Sequence, residues 1–221
     1  MAPQLKLLQP DVLSAAPAAE AAPRPAFSLA QLCGRLAELS SSRSGAQLSF
    51  ALRLVREAQE SGETAAWIGV RTSGFFPPDA AACGIDLSAL PVVRLGSAQE
   101  MGRAADQLLR SGAFGLLLID LGGLEGPGHV RPAASGGAQL AAPLLTRLLG
   151  LAQKHAAAVL FLTEKPGEAP SLSSLVSLRA EVSRAQRLPG RFLCELHALK
   201  DKRRAPGWNH LEEFRGPAGL R

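Results

Sequence analysis

The stretch from Ser40 to Leu48 carries the residues whose types and spacing come nearest to doing chemistry. Ser40, Ser41, Ser42, Arg43, Ser44 and Gly45 make a small polar loop. Before it, Arg35-Leu36-Ala37-Glu38-Leu39 reads as a strand; after it, a helix runs from about Gln47 with Leu48, Ala51, Leu52 and Val55 on one face. Strand, tight loop and helix is the layout of a phosphate-binding loop. There, backbone N–H groups and a helix N-terminus converge on phosphates, a lysine at the helix start meets the outer phosphates, and the hydroxyl beside it holds magnesium. Gln47 and Leu48 stand at those two positions. What remains for a nucleotide is the serine hydroxyls and Arg43. A polar turn with no ligand is the other reading, since an arginine four residues earlier does not supply the lysine's reach.

A second carboxylate belongs to the same question. Gly115-Leu116-Leu117-Leu118-Ile119-Asp120 is the most apolar strand in the chain and ends on a lone acid, as a central parallel strand buried on both faces would. Asp120 is either part of a vestigial nucleotide site or a cap for the turn that follows. Other chemistries find no support. Cys33, Cys83 and Cys194 are far apart with no CxxC, so neither a disulfide framework nor a zinc knuckle follows. Cys194 and His197, three apart in a strand, point to opposite faces, and His129, His155 and His210 have no partner in sequence. No serine sits in GxSxG. No metal and no cofactor are expected.

The elements that position these residues alternate between strand and helix. Gly62 closes the first helix, Thr64 to Val70 is a short strand, and a small helix around Ala80 to Cys83 precedes a strand at Val92 to Leu95. Ser97-Ala98-Gln99-Glu100 is a capping box; the helix it opens turns Met101, Ala105 and Leu108 inward and ends at Gly112. After the glycine-rich stretch from Leu121 to Gly137, a helix runs to about His155, with Pro143 at its first turn or kinking it, and Val159 to Thr163 is a strand. The pattern predicts an α/β fold with a largely parallel central sheet flanked by helices. Antiparallel edge strands are expected from Leu175 to Ala185 and Arg191 to Leu199.

At 221 residues the chain can bury one full-sized core. The expected organisation is a flexible Ala/Pro-rich segment over 1–26, a core over 27–206 and a tail over 207–221. No apolar run is long enough to span a membrane and no apolar signal core opens the sequence, so a cytoplasmic protein without membrane partners is expected. Residues 1–178 carry 14 basic and 14 acidic side chains, whereas 179–221 carry 10 and 5. An anionic partner such as DNA should therefore meet the C-terminal part, through Lys200, Lys202, Arg203 and Arg204, with Arg179, Arg184, Arg187 and Arg191 extending the run. The alternative is a solvated sheet edge. Trp208, Leu211 and Phe214 are candidates for a partner surface, or for packing back on the core.

Taken in order, these segments resemble the ATPase core of the RecA family over about residues 33–206. The resemblance is carried by Gly34-Arg35-Leu36-Ala37-Glu38-Leu39, Arg56-Glu57-Ala58-Gln59, Thr64-Ala65-Ala66-Trp67-Ile68, Gly84-Ile85-Asp86, Leu109-Arg110-Ser111-Gly112-Ala113, Leu117-Leu118-Ile119-Asp120 and Leu199-Lys200-Asp201-Lys202-Arg203-Arg204-Ala205-Pro206. It implies that the phosphate loop's glycines have become Ser41 and Ala46, its lysine Gln47 and its magnesium hydroxyl Leu48. The family's catalytic glutamate falls on Arg71 or Thr72, its γ-phosphate-sensing glutamine on Glu164, and its long glycine-rich loop is cut to Lys165–Pro170. Only Asp120 survives. Phosphoryl transfer is nearly all positioning and charge stabilisation, so these departures imply a fold kept and an activity lost.

Bacterial families of that description are RecA-like accessory proteins of the DNA-damage (SOS) response, notably the ImuA type. The resemblance implies an adaptor in translesion synthesis that works beside an ImuB-like polymerase subunit or RecA, associated with the nucleoid when acting on DNA. The SulA type, which acts on the division protein FtsZ, and an active ATP-dependent recombinase paralogue are the alternatives. Near the N-terminus, Gln4, Leu5, Leu7 and Leu8 resemble the short peptide with which bacterial polymerases dock on the sliding clamp. An N-terminal helix packed on the domain is the other reading of that segment.

Overall fold

The structure, a computed structural model, describes residues 27–42, 46–122, 140–188 and 190–215, with the side chains of 185–188 set aside. Gln4, Leu5, Leu7, Leu8, Arg43, Ser44 and Gly45 lie outside the described residues. The elements run α1 (Leu29–Leu32), β1 (Arg35–Ser40), α2 (Ala46–Glu60), β2 (Ala65–Val70), α3 (Pro77–Ala82), β3 (Val92–Leu95), α4 (Ala98–Ser111), β4 (Leu116–Asp120), α5 (Ala142–Lys154), β5 (Ala158–Thr163), β6 (Leu178–Leu188), β7 (Arg191–Asp201) and β8 (Asn209–Arg215). They build one sheet in the order β3-β2-β4-β5-β1-β6-β7-β8. Strands β3 to β6 of that order are parallel neighbours, and β7 and β8 add antiparallel.

The mixed α/β architecture and the antiparallel C-terminal strands agree with the expectation. Strands β1, β2, β4 and β5 are buried throughout; β2, β4 and β5 read as mostly apolar runs instead of alternating ones, whereas β1 buries Arg35, Glu38 and Ser40 among its apolar residues. Their pleat still sorts side chains by parity. Ala37, Leu39, Trp67, Leu118 and Leu160 join α1 and α2 on one face, while Leu36, Ile68, Ile119, Val159 and Phe161 join α4 and α5 on the other.

Helix ends follow local chemistry. The Ser97 hydroxyl accepts from the Glu100 N–H at 3.3 Å, and the Glu100 carboxylate reaches back one residue beyond the usual partner, to the Gly96 N–H at 3.0 Å. Gly112 ends α4 at φ +69°, a conformation that costs a glycine little. Pro143 sits in the first turn of α5 and kinks nothing. On α4 the buried positions are Met101, Gly102, Ala105, Asp106 and Leu109; Leu108, expected inward, is partly buried at the margin of the core, because the ridge of Met101, Ala105 and Leu109 faces the sheet.

The C-terminal strands add detail to the expectation. β6 lies parallel to β1 on one side and antiparallel to β7 on the other. Residues 209–215, read as part of a tail, form β8. Trp208 and Phe214 are half-buried and pack on the α2 side of the core, with the Phe214 ring 4.9 Å from that of Phe50, so of the three proposed partner residues only Leu211 is exposed. A buried pair ties this end to the first strand: Arg35 meets Asp201 at 2.5 Å, and the Trp208 indole N–H donates to the same carboxylate at 3.2 Å.

Candidate functional site at the carboxyl ends of the parallel strands

In an open parallel sheet the carboxyl ends of the strands, with the helix starts that follow them, are where ligands bind. Here that rim is formed by Ser40 at the end of β1 and Ser41 after it, Gln47 and Leu48 in the first turn of α2, Arg71 to Gly74 after β2, Asp120 at the end of β4, Thr163 at the end of β5 and Glu164 after it. Each residue singled out from the phosphate-loop pattern and described by the structure can be placed. Ser40 is fully buried and donates to the Ala180 carbonyl of β6 at 3.4 Å, so its hydroxyl serves the sheet. Ser41 is buried and its N–H donates to the Thr163 carbonyl at 3.2 Å; Ser42 is exposed.

Gln47 is buried, and its Oε1 has no hydrogen-bond partner. Leu48 packs against the core and against the loop after β2. A Cβ added to Gly74 would lie 2.6 Å from Leu48 Cδ1, so Gly74 is glycine where this leucine requires the backbone to come close. The two positions that would offer an ammonium and a metal-holding hydroxyl thus present a neutral amide and an apolar plug.

Asp120 is 3% exposed. The Gly122 N–H donates to its Oδ1 at 3.1 Å, while Oδ2 has no partner. Burial pushes the carboxyl up to about 6, with Glu164 adding to the rise, against the Gly122 N–H, Arg94 and Ser73, which pull it down. Glu164 and Asp120 approach across Gly122, where an added Cβ would meet Glu164 Oε1 at 3.0 Å and Asp120 Oδ1 at 3.1 Å. Arg94 does not pair with the acid. Its guanidinium donates to the Val70 carbonyl and the Ser73 hydroxyl, each at 3.0 Å, and to the Phe75 carbonyl at 3.2 Å, fixing the loop after β2.

Beside this loop an open cleft of about 550 Å³ is lined by Val70, Arg71, Thr72, Arg94, Leu95, Gly96 and Glu100. Arg71 and Thr72, where the resemblance puts a water-orienting glutamate, line it. Its one carboxylate, Glu100, is engaged by the Gly96 N–H. Among the described residues, no group of three or more His, Cys, Asp or Glu side chains could hold a metal ion.

Sequence reasoning missed a buried acid next to this rim. Glu38 on β1 is fully buried and accepts from the Thr163 hydroxyl at 3.0 Å and the Leu172 N–H at 2.9 Å, with Lys165 Nζ at 2.5 Å. The shortened loop after β5 is pinned further by Arg179, which donates to the carbonyls of Ala169 and, at 3.0 Å, Pro166, and by Glu181, which accepts from the Gly167 N–H at 3.1 Å. An acid in step with Leu36, flanked by Ala37 and Leu39, was the available signal, but its partners come from more than a hundred residues away.

The basic run is only partly open to an anion. Lys202 donates to the Ser174 carbonyl at 2.7 Å and Lys200 to the same oxygen at 3.5 Å; burial and the neighbouring Lys202 push the Lys200 ammonium below its ordinary value. Arg203 donates to the carbonyls of Cys33 at 2.9 Å and Gln31 at 3.4 Å, and Arg204 is exposed. Of the residues that would extend the run, Arg179 is buried; Arg191 is exposed and meets Glu213 at 2.6 Å, Arg184 is exposed and lies 4.3 Å over the Phe192 ring, and the side chain of Arg187 lies outside the description.

No protein-family model matches the chain. Among curated proteins, the chain is similar to Protein RecA of Clostridium novyi (strain NT), 28% identical over 141 residues that cover 59% of this chain and 39% of that protein. It is similar also to Protein RecA of Saccharopolyspora erythraea, 36% identical over 87 residues covering 39% of this chain and 25% of the relative. Protein RecA of Fusobacterium nucleatum subsp. nucleatum is 33% identical over 87 residues, 39% of this chain and 23% of the relative. The chain therefore spans about two-fifths or less of the length of these curated relatives. With the sheet described above, the partial similarities support a RecA-like relationship for this chain.

Proposed function

We propose that the chain is a catalytically inactive RecA-like accessory protein of the bacterial DNA-damage response, acting as an ImuA-type adaptor in translesion synthesis. The observation that carries this reading is Leu48. Its side chain packs against Gly74 where phosphoryl transfer would need a hydroxyl and a magnesium ion, and Gln47 beside it brings no charge to offset phosphates. Among its described residues the rim offers neither the metal-holding hydroxyl nor a charge for the phosphates, and in this reading its scaffold serves contacts with other macromolecules. In this reading the partner is an ImuB-like polymerase subunit or RecA. Arg204 and the edges of Lys200, Lys202 and Arg203 meet the phosphate backbone of DNA, and the segment from Gln4 to Leu8 reaches a sliding clamp.

The test has two arms. Calorimetry with ATP and magnesium, followed by phosphate release in the presence of single-stranded DNA, should give neither binding at micromolar nucleotide nor turnover. Turnover that disappears in Gln47→Ala would overturn the inactive reading. Co-purification from damaged cells should recover a polymerase subunit or RecA; recovery of FtsZ instead would overturn the adaptor reading.

A further inference from the structure

Strand β8 closes one end of the sheet, and among the described residues nothing pairs with its outer edge. We propose that this edge joins a second copy of the chain, antiparallel about a two-fold axis at Leu211, so that two sheets become one continuous sheet. The hydrogen-bonding groups are in place. The Ala198 N–H donates to the Trp208 carbonyl. Antiparallel alternation then turns the backbone groups of His210, Glu212 and Phe214 toward β7 and those of Asn209, Leu211 and Glu213 outward. An edge of this kind, seven residues long and without proline or lysine, is a template for another strand.

The side chains select both the partner and the register. A strand beside β8 must match its parity, with His210, Glu212 and Phe214 on the half-buried face and Asn209, Leu211 and Glu213 on the exposed one. A second β8 centred on Leu211 does so. Leu211, 51% exposed, comes opposite itself; His210 faces the other copy's Glu212; Asn209 faces Glu213; and Trp208, just before the strand, faces Phe214. Within one chain His210 Nε2 already lies 3.1 Å from Glu212 Oε2, so the across-axis pairs bring each imidazole to a second carboxylate. Centring the axis on Glu212 or Glu213 sets like charges directly opposite each other, which is unfavourable in a sheet. The Leu211 register makes about six interchain backbone hydrogen bonds. Registers centred on His210 or Phe214 also keep parity but make about four such bonds, so parity, the avoidance of opposed glutamates and the number of backbone bonds together point to a second copy in the Leu211 register.

The experiment uses the full chain with Cys83→Ser, because Cys83 is the exposed native thiol. Sedimentation equilibrium should show reversible dimers, and Leu211→Asp, which sets two carboxylates across the axis, should weaken association by at least about tenfold while circular dichroism stays unchanged. In the same background a short thiol-to-thiol crosslinker should join Leu211→Cys into dimers and leave Glu213→Cys, whose opposite residue is Asn209, largely monomeric. The crosslinking arm decides register even where Leu211→Asp misfolds. A chain that sediments as a monomer at about 100 μM, far above the micromolar range of specific association, overturns the proposal. So does a dimer indifferent to Leu211→Asp, or equal crosslinking of the two cysteine variants.

Discussion

Leu48 and Gly74 fit each other: the leucine's Cδ1 occupies the space in which any side chain at position 74 would begin, 2.6 Å from the Cβ that glycine lacks. Gly74→Ala should therefore cost about 1 kcal/mol, since Cδ1 is the end of a side chain that can shift in part. In Leu48→Ala the same substitution should cost markedly less. Urea unfolding of the two single variants and the double variant measures the coupling. Additive effects would mean that the loop after β2 does not rest on Leu48.

Asp120 should make stability fall as pH rises. Burial lifts its carboxyl to about 6, so the folded chain binds this proton more tightly than the unfolded chain. The group's contribution worsens between about pH 4 and pH 6 and stays low above that, a difference of roughly 3 kcal/mol. Asp120→Asn keeps an acceptor for the Gly122 N–H and removes the charge. Its advantage over the parent should be largest at pH 7.5 and mostly gone at about pH 4, as read by denaturant midpoints at the two pH values.

Asp201 should act in the opposite direction. Burial pushes its carboxyl up, but the Arg203 N–H, Arg35 and Trp208 more than offset that, and the group lies below its ordinary value. The stability it contributes is present above the ordinary carboxylate range and lost as pH falls through the depressed value. Removing the acid leaves a buried guanidinium without a carboxylate, held only by Ser177 and the Gln31 carbonyl. Asp201→Ala should lose about 3–5 kcal/mol, and Arg35→Met with Asp201→Leu much less. Thermal unfolding of both variants is the check.

The basic turn should separate into a structural and an open part. Arg203→Ala should lower stability by about 1 kcal/mol, having given up bonds to the Gln31 and Cys33 carbonyls. Arg204→Glu should leave stability unchanged and weaken binding to single-stranded DNA, with a shallower dependence on salt, because a phosphate that no arginine neutralises keeps its counterions. Fluorescence anisotropy at two salt concentrations reads this directly. Unchanged binding in Arg204→Glu would mean that the turn is a solvated edge.

The sequence by itself determined the order and type of the elements from β1 to β5, because periodicity, the Ser97 cap and glycines such as Gly62 and Gly112 act within a few residues. It also put Gln47 and Leu48 at the positions where a phosphate-binding loop has a lysine and a hydroxyl, an expectation that rests on spacing alone. Only the tertiary structure decided what the side chains at the rim and in the basic turn do. Glu38 finds Thr163, Lys165 and Leu172, Arg203 finds Gln31 and Cys33, and Leu48 finds Gly74, each across a long loop of chain. The same holds for β8: a segment reading as a tail becomes a strand once Phe214 can reach Phe50. Burial and charge at a position are fields made by neighbours that the fold brings in from elsewhere, so the raised titration of Asp120 and the pairing of the basic run were not legible in any local pattern.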